Sequence, residues 1–134
     1  FDALEASPHI DTGKTGLMGG GLGGALIWNS VLGPFAGKVK AVAVMQAVAN
    51  LTAVIREQKF KPPCLSAYGL PEETSDEEAI AKIKPHDPMP RIQSLEPGTP
   101  LPWTAIYHGS RDANIPPETN SVPLAEALRR AGER

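Results

Sequence analysis

The segment with the clearest chemical potential is a glycine-rich turn. Residues 19–24 include five glycines and lie between an apolar run ending at Met18 and an apolar helical pattern beginning at Ala25. Strand, tight turn and helix in this order fit a nucleophile elbow, G-x-S-x-G, in which a serine attacks an acyl carbon. Gly21 stands where that motif has serine. Because glycine has no side chain, the pattern predicts a turn that retains the geometry and lacks the nucleophile.

The neighbours of Gly21 fit the same motif. The chain folds back so closely in such a turn that the residues two before and two after the central position have to be small, and Gly19 and Gly23 meet this requirement. The turn also opens a helix, whose first N–H groups stabilise negative charge. We therefore expect the Leu22 N–H to serve as an oxyanion-hole donor, and Gly24 to let the helix pack closely on the sheet.

A second polar group of residues follows the last predicted strand, at 108–112. Asp112 lies beyond the carboxyl end of that strand and before a Pro-Pro turn, which is where sites form in open α/β sheets. Such a carboxylate would orient a histidine and stabilise its imidazolium. The alternative is a simple turn cap. We favour the functional position, because the acid follows the elbow in the expected chain order. His108 is expected to serve packing, and no histidine follows Asp112, where the base would stand.

The glycine turn permits another interpretation. Residues 19–24 also satisfy G-x-G-x-x-G, a dinucleotide-binding pattern that needs an acidic residue about 20 positions later. Met45 and Gln46 stand there instead. A phosphate-binding loop ending at residues 13–15 is excluded, because that motif needs glycine where Pro8 stands. A dinucleotide-binding α/β domain is therefore the least favoured function, and we expect no cofactor and no metal.

The elements that position these residues alternate between strand and helix. Strands are predicted at 15–19, 39–45 and 103–107, and helices at 22–32, 47–59, 75–84 and 124–131, the last ending at Gly132. The β-branched run at 39–45 has little alternation, which is typical of a strand covered on both faces. We therefore predict an α/β fold with a mostly parallel sheet and helices on both of its faces. Helix 75–84 is expected to begin with Ser75 or Asp76 as its cap.

The middle of the chain has a different composition. Nine of the 14 prolines lie between residues 61 and 102. A structureless loop of that length is unusual in a compact domain. We therefore expect residues 50–102 to form a cap or lid inserted into a single domain, residues 1–134, which the length allows.

Composition narrows the classes of partner. The net charge of −2 and the pI of about 5.9 do not favour nucleic acid or an anionic membrane surface. No apolar run is long enough to span a bilayer. The single cysteine, Cys64, excludes an intramolecular disulfide and a cysteine-rich metal site, and slightly favours a cytoplasmic location. The absence of an initial methionine and the end just after a helical pattern lead us to expect that both termini are truncated.

Three segments together resemble the C-terminal half of an α/β-hydrolase. They are residues 18–25, 107–117 and 124–132, and residues 7–11 are similar to the usual lead-in of that family. The dienelactone-hydrolase-like and prolyl-oligopeptidase-like branches are the most similar. The resemblance implies that Gly21 occupies the nucleophile position, that Leu22 supplies one oxyanion-hole N–H, and that Asp112 is the triad acid.

The same resemblance implies an activity and also its loss. The family's chemistry leads us to expect an esterase-like hydrolase acting on carboxylic esters or related acyl compounds, with a small ester-like molecule as substrate or ligand. This chain lacks the nucleophile, the histidine and the N-terminal strands, so it is expected to be inactive as written. A non-catalytic binding or scaffold protein is the main alternative. A partner chain or a further segment is expected to complete the sheet, because its strand edges would otherwise be exposed.

Overall fold

The computed structural model describes residues 2–132, which form three strands and seven α-helices. The strands are β1 (Gly16–Gly21), β2 (Ala41–Ala47) and β3 (Trp103–Tyr107). The helices are α1 (Asp2–Glu5), α2 (Leu22–Val31), α3 (Leu51–Arg56), α4 (Lys61–Ala67), α5 (Asp76–Ile83), α6 (Pro88–Gln93) and α7 (Ser121–Gly132). Within the described residues, no helix has the length and apolar character needed to cross a membrane.

The sheet is parallel and has the order β1-β2-β3. Its central strand pairs Val42 with Leu17 on one side and with Thr104 on the other. Helix α2 connects β1 to β2, and the long helical segment α3–α6 connects β2 to β3. The parallel α/β fold expected from the sequence is therefore confirmed, and β3 has the predicted bounds.

The two faces of the sheet differ in what covers them. Val42 and Val44 on β2 are fully buried in one core with side chains of α2, α6 and α7. On the opposite face, Met18 is 74% exposed and Trp103 is 69% exposed. Within residues 2–132, the side chains on this second face are therefore far more exposed than those on the first.

A second apolar core lies among α3, α4 and α5. It also includes Ala25 of α2 and Ile115 of the loop after β3. Residues 50–102 therefore pack against the first turn of α2 and against the loop that carries Asp112. Whether this segment acts as a cap or lid stays a prediction.

The predicted elements in this segment need correction. The helix expected at 47–59 covers only Leu51–Arg56, because Ala47 is still the last residue of β2. Helices α4 and α6 were not predicted, since each has proline in its first turn. Proline is tolerated there because the first helical N–H has no partner in any case. Ser75 is the observed cap of α5, where its hydroxyl accepts a hydrogen bond from the Glu78 N–H at 3.2 Å.

Candidate functional site

Gly21 ends β1 and forms the N-cap of α2 with φ +52° and ψ −131°. Residues with a side chain rarely adopt a positive φ, so this turn favours glycine. A Cβ added at Gly21 would nevertheless meet no heavy atom within 4 Å beyond its chain neighbours. The residue that follows β2 holds the turn, since the Val48 N–H donates to the Gly21 carbonyl at 2.8 Å. A side chain at position 21 would therefore project from a sharp strand-to-helix turn into open space.

The first turn of α2 shows which small residues the packing needs. Leu22 is the first helical residue, so its N–H lies at the positive end of the helix dipole. A Cβ on Gly24 would lie 2.3 Å from the Ala47 Cβ, so close packing on β2 requires glycine here, as expected. The packing does not require a small residue at position 23, contrary to our expectation, because a Cβ on Gly23 would have no neighbour within 4 Å. A Cβ on Gly19 would lie 3.0 Å from the flexible Ile27 side chain and 3.6 Å from the Gly23 backbone.

Asp112 lies in the loop after β3, and its carboxylate is held by the main chain. Its Oδ1 accepts hydrogen bonds from the N–H groups of Asn114 at 2.9 Å and Ile115 at 3.0 Å. Burial raises the pKa of Asp112, but these two bonds and the nearby His108 outweigh burial and leave the pKa below its usual value. The carboxylate is thus kept ionised, and its Oδ2 is left for another donor.

His108, at the start of the loop between β3 and α7, holds the later part of that loop and the start of α7 with its ring. Its side chain is 6% exposed. The ring Nε2 lies 2.7 Å from the Ile115 carbonyl oxygen, and Nδ1 is bonded to the Ser121 hydroxyl. A carbonyl can only accept, so Nε2 carries the hydrogen and Nδ1 of the neutral ring accepts from Ser121. Nε2 is also 3.6 Å from Asp112 Oδ2. These contacts agree with the packing role expected for His108.

The predicted residues lie along one edge of the sheet. Because the strands are parallel, Gly21 and the loop containing Asp112 both follow carboxyl ends. Strand β2 lies between them, so the ends of β1 and β3 are separated by two strand spacings, about 10 Å. A side chain of the size of histidine can bridge such a gap. The structure therefore brings the three predicted site residues to the same edge, where their roles stay predictions.

Gln46 occupies the middle of this edge and was not predicted as a site residue. The pairing of β1 with β2 shifts after Gly20↔Met45 to Gly21↔Ala47, so Gln46 is the extra residue of a bulge. Its φ is +46°. An open cavity of about 580 Å³ is lined by Gln46 and by residues 109–114, including Asp112. The residue types around Gln46 carry no signal for such a bulge, because it arises from the pairing of β1 with β2.

Two buried polar side chains hold the chain that leaves β2. Asn120 Oδ1 accepts from the N–H groups of Ala49 at 3.1 Å and Asn50 at 3.0 Å. Asp87 accepts from the Leu51 N–H at 3.1 Å and from both the N–H and the hydroxyl of Thr52 at 3.0 and 2.8 Å. Asp87 was missed because its partners lie far away in sequence, although an acid before a proline does signal a helix cap.

A larger cavity, of about 860 Å³, lies between β3 and α7. It is lined by residues 98–102, by Thr104 and Ile106, and by one side of α7. It contains none of the predicted site residues. Within residues 2–132, no group of three or more His, Cys, Asp or Glu side chains is arranged to hold a metal ion.

Comparison with known proteins identifies the fold. No protein-family model matches the chain, and no curated protein sequence matches it significantly. Among solved structures, the apo form of prolyl oligopeptidase B from Galerina marginata superposes with a TM-score of 0.72 at 22% identity over 97% of this chain. The chain has an α/β-hydrolase-like fold.

A second solved structure gives the same result. Prolyl oligopeptidase B from Galerina marginata, as a serine-to-alanine mutant bound to a 35mer hydrolysis and macrocyclization substrate, matches with a TM-score of 0.66 at 23% identity over 94% of this chain. In both cases this chain spans 17% of the length of the matched protein. The α/β-hydrolase-like fold is thus shared with a portion of a much longer hydrolase. Similarity at this identity does not support the dienelactone-hydrolase-like branch.

Proposed function

We propose that this chain carries two parts of a Ser-His-Asp acyl-transfer site, the nucleophile elbow and the acid, with glycine at the nucleophile position. The substrate class is carboxylic esters or related acyl compounds. The observation that carries the proposal is the backbone of Gly21, which holds φ +52° at a strand-to-helix turn with open space where a side chain would project. An elbow needs this geometry so that its nucleophile is exposed above the sheet.

Each residue has a role in this proposal. A serine at position 21 would attack the acyl carbon and give its proton to a histidine, and the Leu22 N–H would stabilise the oxyanion. The Asp112 carboxylate would stabilise the imidazolium, and its lowered pKa keeps it ionised for that task. Since Gly21 cannot attack, the protein as written would bind acyl compounds without turning them over. This outcome joins the hydrolase proposal to its non-catalytic alternative, a binding or scaffold pseudoenzyme.

The proposal includes a source for the absent histidine. Strands β1 and β3 are the two edges of the described sheet, and unpaired edges favour the addition of another strand. We therefore propose that a partner chain or a further segment extends the sheet and brings a histidine to Asp112. Residues 50–102 would act as the cap, because their apolar core reaches both Ala25 behind the elbow and Ile115 beside Asp112.

A peptide substrate is the second candidate. The two structures described above are both of prolyl oligopeptidase B, in one case bound to a 35mer hydrolysis and macrocyclization substrate. Esters and peptides pass through the same type of oxyanion intermediate, so the elbow does not distinguish them. The two substrates are separated by assay.

The first test measures the electrostatics of the elbow without needing the histidine. In Gly21→Cys, the new thiol lies at the N-terminus of α2, which should lower its pKa below about 8.5. Burial raises the pKa of the native Cys64 thiol to about 11, so that it contributes no signal near neutral pH. The pH dependence of iodoacetamide alkylation reports the new thiol. Ser66→Cys, at an exposed position on α4, is the control and should react with an ordinary pKa.

The second test is restoration of turnover in the intact natural protein. Gly21→Ser is assayed with p-nitrophenyl esters and with a prolyl peptide, and Gly21→Ala is the control of equal backbone strain. Turnover by the serine variant alone supports a disabled hydrolase and identifies the substrate class. A folded serine variant without turnover on either substrate supports the binding role. An ordinary thiol pKa in Gly21→Cys contradicts the elbow itself.

A further inference from the structure

Gln46, the extra residue of the β2 bulge, has an unusual backbone conformation. Its φ is +46°, in the left-handed region that residues with a side chain rarely adopt. Gln58 has a similar φ of +65°, but it follows the end of α3, and its side chain donates to the Ile55 carbonyl and to Asp76. Within residues 2–132, no side-chain hydrogen bond compensates Gln46 in this way. Unusual backbone of this kind concentrates at functional sites.

The bulge places the Gln46 carboxamide between the ends of β2 and β3. Its Nε2 lies 3.8 Å from the position that a Cβ on Gly109 would occupy. Gln46 lines the cavity that contains Asp112 and also a neighbouring cavity lined by Tyr107 and His108. The carboxamide and the proposed acid therefore line the same cavity, at the edge of the sheet that also contains Gly21.

The chemistry of this cavity suits a neutral imidazole. Asp112 Oδ1 is used by two main-chain N–H groups, whereas Oδ2 has only the His108 ring at 3.6 Å. Oδ2 can accept the N–H of an imidazole, and a carboxamide offers both a donor and an acceptor to a ring beside it.

We infer that Gln46 is a positioning residue that holds the imidazole served by Asp112. This inference rests on the proposed acyl-transfer site. The bulge turns the carboxamide toward the cavity, and the strained backbone is retained because that orientation is needed.

The test uses imidazole itself as the probe, added to the purified protein at pH 8, where the ring is neutral. Amide NMR shifts should change at residue 46 and at residues 109–114. Gln46→Leu and Asp112→Asn should each weaken imidazole binding at least threefold. Gln93→Leu, at an exposed position on α6 with ordinary backbone, should not.

A second variant separates positioning from structure. Gln46→Gly should relieve the backbone strain and raise the Tm by about 2 °C, while imidazole binding weakens as in Gln46→Leu. A lower Tm in Gln46→Gly, or unchanged imidazole affinity in both Gln46 variants, overturns the inference. If Asp112→Asn weakens binding and Gln46→Leu does not, the inference fails and the proposed acid is still supported. If imidazole perturbs no residue of this cavity, the inference and the proposed role of Asp112 both fail.

Discussion

Two adjacent glycines at the start of α2 should respond oppositely to the same substitution. A Cβ on Gly24 would lie 2.3 Å from the Ala47 Cβ and 3.2 Å from the Val48 carbonyl oxygen, whereas a Cβ on Gly23 would meet nothing within 4 Å. Gly24→Ala should therefore destabilise the protein, and Gly23→Ala should stabilise it slightly. The comparison tests how closely the elbow helix packs on the central strand.

The magnitudes follow from overlap and helix propensity. A normal carbon–carbon contact is about 3.7 Å, so Gly24→Ala creates an overlap of about 1.4 Å that only movement of α2 away from β2 can relieve. Overpacking of this kind costs up to about 3 kcal/mol, and the helix propensity of alanine offsets about 1 kcal/mol. The net loss is about 2 kcal/mol. Gly23→Ala gains about 0.5 kcal/mol, because the first turn realises only part of the propensity.

Thermal unfolding followed by circular dichroism measures both effects. For a chain of this size, 1 kcal/mol corresponds to about 4 °C, so the Tm should fall by about 8 °C in Gly24→Ala and rise by about 2 °C in Gly23→Ala. A rise of Tm in both variants would refute the close approach of α2 to β2. A fall in both would show that Gly23 is constrained by contacts absent from our reasoning.

Three further predictions concern buried polar groups. Burial, followed by the charge of Asp87, raises the pKa of the Cys64 thiol from 9.0 to about 11. The stability that the neutral thiol contributes is therefore complete below pH 9 and is lost as the pH rises through 11. The Tm should fall less over this pH range in Cys64→Ala than in the native protein. The lowered pKa of Asp112 gives stability that is present above its unfolded pKa, about 3.9, and is lost as the pH falls through the folded value. In Asp112→Asn, the Tm should therefore depend less on pH in the acid range. An unchanged dependence of Tm on pH would contradict the lowered pKa. Asp87→Ala should lower the free energy of unfolding, measured by urea denaturation, by about 2–4 kcal/mol, because the N–H groups of Leu51 and Thr52 lose their acceptor. Asp87→Asn should lower it less. Equal stability of Asp87→Ala and the native protein would show that water replaces the carboxylate.

Local patterns predicted the elements whose causes are local. The β-branched run before Met45 and the compact apolar segment Trp103–Tyr107 indicated parallel strands, and the fold confirms them. The glycine turn could also be predicted, because glycine tolerates the positive φ that Gly21 adopts. Ser75 was identified as a cap because its partner is only three residues away.

The features that the sequence did not predict depend mainly on contacts between residues far apart in the chain. Asp87 and Asn120 hold the start of α3 from 35 and 70 residues away, and no periodicity encodes such partners. Helices α4 and α6 were missed because proline was interpreted only as a breaker. The bulge at Gln46 depends on how β1 and β2 pair, so residue type alone could not predict it. The candidate site was thus predictable at its two ends, Gly21 and Asp112, and not at its centre.

The uneven covering of the sheet also has an optical consequence. Trp28 on α2 is completely buried in the core against β2, whereas Trp103 on the opposite face of the sheet is 69% exposed. The first indole should therefore emit at short wavelength and resist iodide quenching, while the second should emit at long wavelength and be quenched readily. A segment or partner that settles on the face that carries Trp103 would shift the emission of that indole alone. The two tryptophans thus give the molecule its own fluorescent reporter of coverage, with one indole as the internal standard.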